Sequence, residues 1–193
     1  QAGKKAKYST AYQSALNYIQ VGIGVLSANS WQSQYNITLE LYLEAAELAY
    51  LNIDFEEMNK IAAIVLKQAI TTLDKVRIYN VKIQAYAAQS QLLVLLNTGL
   101  EFLKLLDVNI PEEPTQLDII SALQEAQLVL REKRTEDLIN LPIMTDATFL
   151  AAMQIITQLM TPAFIGKNEL VPLLVTQQVI LSVKYGNGAD SAY

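Results

Sequence analysis

The chain has 193 residues, with 14 Lys and Arg against 19 Asp and Glu, a formal net charge of -5, 52% hydrophobic residues and only 17% charged ones. It contains no His and no Cys, which excludes disulfide frameworks, zinc ribbons, iron–sulfur centres, Ser-His-Asp relays, Glu-x-x-His di-iron sites and H-E-x-x-H zinc sites. The acidic balance also leaves no basic stripe for a phosphate backbone, so no nucleic-acid partner is expected.

Hydrophobic periodicity is helical almost throughout, and no segment alternates with period two for long enough to make a strand. The pattern predicts a first helix over 6–27, with Tyr8, Tyr12, Ala15, Ile19, Gly22, Ile23 and Leu26 at three-or-four spacing. The second runs from Trp31 or Gln34 to Leu51, turning inward Leu41, Ala45, Leu48 and Ala49. Asn52 and Ile53 make a turn, and Asp54 with Glu57 gives a capping-box start to a third helix over 55–70. A fourth is expected over 73–89 and a fifth over 91–106. Pro111 and Pro114 mark a longer loop and the expected internal sub-boundary, 107–114.

Thr115 with Asp118 resembles a capping signal for a sixth helix ending near Arg131, and a short helical turn over 136–140 stops before Pro142. The last pair is predicted over 146–160 and from Pro162 or Asn168 to Tyr185, with Gly186 as C-terminal cap. Residues 186–190 are expected to be mobile unless a further helix begins at Ser191. The uncharged run Ala147 to Gly166 is long enough to span a bilayer. However, Gln154, Thr157, Gln158 and Thr161 place a polar stripe along it and Pro162 interrupts it, so a buried helix and no membrane insertion are expected. No charged-then-apolar leader is visible, and the start at Gln1 without Met is read as that of a piece excised from a longer chain.

Self-similarity organises these helices. Phe55-Glu-Glu-Met58-x-x-x-Ala62 aligns with Leu92-x-x-Leu95-x-x-x-Gly99 at an offset of 37 residues, and Gly22 to Leu26 aligns with Gly99 to Leu103. Small residues (Ala45, Ala46, Ala49, Ala62, Ala63, Ala85, Ala87, Ala88) recur where two helices would approach closely. A period in the mid-thirties with small residues at the crossing is the mark of tetratricopeptide-like hairpins. The expected fold is therefore all-α: an α-α superhelix of antiparallel helical hairpins with about eight or nine helices, as one helical-repeat domain over 1–193.

Several constellations bear on chemistry. Gly22-Ile23-Gly24 has Ser27 at the third glycine position of a dinucleotide loop and lies inside a helical pattern, so it reads as a close helix approach. No phosphate-loop motif is present. Glu40, Glu44 and Glu47 share one helix face, followed by Asp54, Glu56 and Glu57; they read as a solvated face rather than an acid–base pair or cation site. Ten Tyr against four Phe and one Trp place rings at the helix seams, among them Tyr42, Tyr50, Tyr79 and Tyr86, suited to packing or to a partner groove. The mixed-sign run Arg131 to Asp137 reads as a solvated loop, and the Asn36-Ile37-Thr38 sequon as chance.

Longer pieces carry a resemblance. They are Glu44-Ala-Ala-Glu-Leu-Ala-Tyr-Leu51 with Asp54-Phe-Glu-Glu-Met58; Asp74-Lys-Val76 with Tyr79 and Lys82-Ile-Gln-Ala85; and Pro111-Glu-Glu-Pro-Thr115. Glu136-Asp-Leu138 with Leu141-Pro142 and Met144-Thr-Asp146, and Leu181-Ser-Val-Lys-Tyr-Gly-Asn187, complete the set. Together they resemble the helical-repeat region of large bacterial multidomain signalling proteins. In these, a serine/threonine kinase domain and a predicted signal-transduction ATPase precede the repeats, and a GAF sensor and a histidine kinase often follow. The resemblance implies a cytoplasmic spacer and interaction segment with no catalytic residue, cofactor or metal of its own.

Its expected partners are neighbouring domains of the same chain or a protein or peptide. The surfaces expected to carry contact are the helix of Tyr42, Glu44, Glu47 and Tyr50 and the helix of Tyr79, Gln84 and Tyr86. The alternative from another class is a small-ligand or lipid carrier, with uncharged helices such as 83–100 and 147–166 around an apolar cavity. A carboxylate-and-tyrosine enzyme using Mg2+ is the remaining reading.

Overall fold

The computed structural model describes residues 10–131 and 133–188, and within the helix over 135–139 the side chains of Thr135 and Ile139 lie outside the description. The expected helix start at Ala6 with Tyr8, Glu132 of the charge run, the mobility expected of Ala189 and Asp190, and a helix from Ser191 lie outside the described residues.

Ten helices make up the described residues, and among these there is no strand. They are α1 (Tyr12–Gly24), α2 (Ser30–Ser33), α3 (Tyr35–Leu51), α4 (Phe55–Gln68), α5 (Val76–Ala88), α6 (Leu92–Leu105), α7 (Gln116–Arg131), α8 (Thr135–Ile139), α9 (Ala147–Gly166) and α10 (Val171–Tyr185). Single 3-10 turns, Leu73–Lys75 and Asn168–Leu170, lead into α5 and α10. Of the capping box read at Asp54 and Glu57 only the Asp54 half forms, the Asp54 amide itself donating to the Ala49 carbonyl, and the Thr115–Asp118 cap forms as expected. The Asp54 carboxylate accepts the Glu57 amide at 3.0 Å, and Asp118 accepts the Thr115 amide at 2.7 Å while donating its own amide to the Thr115 hydroxyl.

Two expectations are corrected. The first helix does not run unbroken up to Ser27. Thr10 takes a left-handed φ of 58° just before Tyr12, and α1 stops at Gly24. The apolar period continues across such a break, so periodicity alone misses it. Nor does Pro162 end a helix at Met160, since α9 carries through it to Gly166. Proline costs a helix one amide donor. Here burial of Ala163 and the packing of Gly166 on Leu92 hold the last turn in place.

The turns repeat. At the end of α3, Asp54 N–H donates to the Ala49 carbonyl and Ile53 N–H to that of Tyr50, with Ile53 left-handed at φ 63°. At the end of α5, Gln91 N–H donates to Tyr86 and Ser90 N–H to Ala87, with Ser90 at φ 57°. Each is a Schellman cap whose last residue is also the N-cap of the next helix. All positions of the second turn lie 37 residues after those of the first. A third such cap closes α6, where Val108 N–H donates to Leu103 and Asp107 N–H to Lys104, with Asp107 at φ 60°.

The chain divides into two compact units, Gln1–Ala85 and Tyr86–Tyr193. In the first, α3 packs against α1, α2 and α4. Ala45, Ala46, Leu48, Ala49, Met58 and Val65 are buried there, on a helix face where small residues permit close approach. In the second, α9 packs on α6 and α10, and α10 on α7. The α6–α9 crossing is close at Gly99. A methyl at Gly99 would overlap the Leu159 side chain, so only glycine lets the helices meet. Burial of Leu95, Leu96, Phe102, Met153, Ile156 and Leu159 drives the packing, each contributing about 1.5–3 kcal/mol.

Candidate interaction surfaces

On the first unit, α3 presents the carboxylates taken from sequence as a solvated face. That expectation is corrected. Glu44 is only 7% exposed, and Glu40, Glu44 and Glu47 converge on Arg77 in the first turn of α5. Arg77 Nη1 lies 3.2 Å from Glu40, and Nη2 lies 2.5 Å from Glu44 and 2.7 Å from Glu47. Burial works against the guanidinium charge, yet hydrogen bonds to Glu47 and Glu44 outweigh it and hold the pKa above the ordinary arginine value. The fork geometry of arginine suits several carboxylates at once. The cluster therefore clamps α5 to α3.

A second clamp lies at the start of α3. The Tyr35 hydroxyl donates to Asp74 at 2.7 Å and accepts the Ile70 amide at 2.9 Å, while Asp74 also accepts the Thr71 amide at 2.9 Å. Burial raises the Tyr35 pKa, the Ile70 amide opposes this and Asp74 adds to it. For Asp74, burial pushes upward but is outweighed by hydrogen bonds from Tyr35 and Thr71, so the carboxyl lies below its usual range. Trp31 packs on Tyr35 and Tyr42, with ring centroids 6.1 and 5.1 Å away.

Of the residues expected to form a contact surface, Tyr42, Glu47 and Tyr50 are half-buried on α3, and Gln84 is exposed on α5. Glu44 belongs to the Arg77 cluster, and Tyr79 is a core residue at 2% exposure, with the Lys82 ammonium 5.6 Å from its ring centroid. Tyr86, in the second unit, is half-buried; burial raises its pKa and the Glu101 charge adds to this. Glu44 and Tyr79 are thus buried, while the other five keep at least partial exposure. The sequon is built into packing, since Thr38 is buried and its hydroxyl donates to the Gln34 carbonyl.

Sequence reasoning missed Arg77 altogether, although one signal was present: a cation in the first turn of a helix opposes the helix dipole and so calls for a carboxylate partner.

It also missed a cleft of about 560 Å3 in the second unit, bounded by the 106–109 segment, α7, the start of α9 and the end of α10. Phe149 and Tyr185 stack on its wall, with ring centroids 3.6 Å apart and planes within 16°. Asp107, Glu125 and Asp146 line it along with Lys184, which stands 3.4 Å from Glu125. Asp146 caps α9 through the Thr148 and Phe149 amides. The rim is pinned where Asn187 N–H donates to the Pro142 carbonyl and Met144 N–H to that of Asn187. Gly186 makes this possible at φ 102°, its position leaving no room for a methyl beside the Pro142 oxygen. A second cleft, of about 630 Å3, shares Asn109 with the first and carries Glu101, Glu112 and Asp118 with Lys104.

Among the described residues, no group of three or more carboxylates is placed to hold a metal ion. Among the described residues, one helix, α9, is long and apolar enough to cross a membrane by length and composition. No family model matches the chain, and no curated protein or solved structure matches it.

Proposed function

We propose that this chain is a non-catalytic helical-repeat segment, a tetratricopeptide-like α-α superhelix, that serves as a scaffold and interaction module in a cytoplasmic signal-transduction protein. The observation that carries the reading is the pair of matching Schellman turns 37 residues apart, each followed at once by a helix that begins with the same apolar spacing. A chain built from one hairpin repeated gains stability from stacking neighbours and leaves its surfaces to partners. In this reading catalysis belongs to adjoining ATPase and kinase modules, and the segment spaces and docks them.

Cross-linking followed by native mass spectrometry of the protein from its own cells tests the reading. Attachment to signalling modules or to a protein partner is the expected result. A stoichiometric apolar small molecule, with no protein cross-linked, would replace it with the ligand-carrier alternative.

A further inference from the structure

We infer that the paired clefts of the second unit are the docking groove for an extended basic peptide segment of a protein partner. The inference rests on the interaction-module reading and gives it a location and a chemistry.

Three observations carry it. The first is charge: the two clefts together hold six carboxylates and two lysines, and one lysine, Lys184, is already beside Glu125. A groove lined mainly by one sign selects the opposite sign and repels acidic chains and nucleic acid. The second is shape: the clefts adjoin at Asn109, which lines both, and their volumes are about 560 and 630 Å3, each room for a few side chains of an extended segment. The third is the aromatic pair. Tyr185 is 43% exposed and braced by Phe149 at its back, which makes a platform for an arginine or lysine side chain.

The platform is held before any ligand arrives. Asp146 fixes the first turn of α9 ahead of Phe149, and the hydrogen-bonded rim at Pro142 and Asn187 fixes the chain just after Tyr185. Pre-organisation of this kind lowers the ordering cost of binding.

The test is fluorescence anisotropy of the full chain with a labelled peptide that alternates arginine with small residues, beside the same peptide with glutamine for arginine. Saturable binding of the arginine peptide alone is expected, weakening about threefold or more as salt is raised. Asp107→Asn with Glu125→Gln, which removes charge without altering packing, is expected to weaken binding about tenfold. Tyr185→Ala should do so about fivefold, and Glu56→Gln, on the exposed face of α4, should leave it unchanged. Equal binding of the glutamine peptide, no binding at all, or equal losses from Glu56→Gln and the cleft pair would overturn the proposal. A partner cross-linked elsewhere on the chain would then leave the interaction reading standing without this groove.

Discussion

Arg77 and Glu44 form a close ion pair, with Nη2 and Oε1 2.5 Å apart, and they join helices whose paired residues are 33 positions apart in the chain. Glu44 is buried on α3 at 7% exposure, so little water can take the place of the guanidinium. Removing the arginine therefore does more than delete a contact. It leaves a carboxylate desolvated and adds the repulsion of Glu40 and Glu47. Arg77→Met is expected to destabilise the first unit by about 3 kcal/mol, the low end for a broken buried pair because the arginine is partly solvated. Glu44→Gln in the same chain should restore part of the loss. Urea unfolding checks both, and an unchanged midpoint in Arg77→Met would show that the cluster is incidental.

Two helical glycines answer the same substitution in opposite ways. At Gly99 a methyl meets the Leu159 side chain inside van der Waals contact, whereas at Gly22 the nearest atom is Leu41 Cδ2 at 3.5 Å. Gly99→Ala should cost about 1–3 kcal/mol through overpacking at the α6–α9 crossing. Gly22→Ala should be neutral or stabilising by about 0.5 kcal/mol, because alanine loses less backbone freedom in a helix. Thermal melts of the two variants give the comparison.

Ile53 is β-branched, left-handed at φ 63° and 75% exposed. That conformation costs a non-glycine residue about 1–2 kcal/mol, and little packing is lost with the side chain. Ile53→Gly is therefore expected to raise the melting temperature, with a gain near 1 kcal/mol. Ser90→Gly, 37 residues on, should act the same way. A fall in stability for both would mean that these turns are not strained as their backbone angles indicate.

Acid should act through Asp74. Its folded pKa lies below the ordinary 3.8, so the stabilisation it supplies is present above the unfolded value and is lost as pH falls through the folded one. Asp74→Asn should be less stable than the parent at neutral pH by about 1 kcal/mol. The difference should close as pH falls through the folded pKa of Asp74, below the ordinary carboxylate range. Tyr35→Phe should narrow the same acid limb without abolishing it, since Thr71 remains a donor. Unfolding midpoints collected against pH follow both effects.

Much of the helix order is legible in the sequence because caps are local. Asp54, Thr115 with Asp118, Asp146 and Gly186 each announce a boundary through atoms within a few residues. The apolar spacing that starts α4 and α6 exposes the 37-residue offset directly. What the sequence hides is long-range. Glu40, Glu44 and Glu47 look like any solvated face until Arg77 arrives from α5, and the Phe149–Tyr185 stack joins residues 36 positions apart. Thr10 and Pro162 misled for a different reason: the hydrophobic period runs across a left-handed break in one case, and tertiary burial overrides a helix breaker in the other.

The central claim is that a 37-residue hairpin is the structural unit of this chain, and duplicating residues 55–91 in place tests it most directly. Circular dichroism and small-angle X-ray scattering of the longer protein should show added helix in proportion and a longer particle that still melts cooperatively. An aggregated or partly unfolded product, with Ile53→Gly and Gly22→Ala variants of the parent folding normally, would contradict the claim.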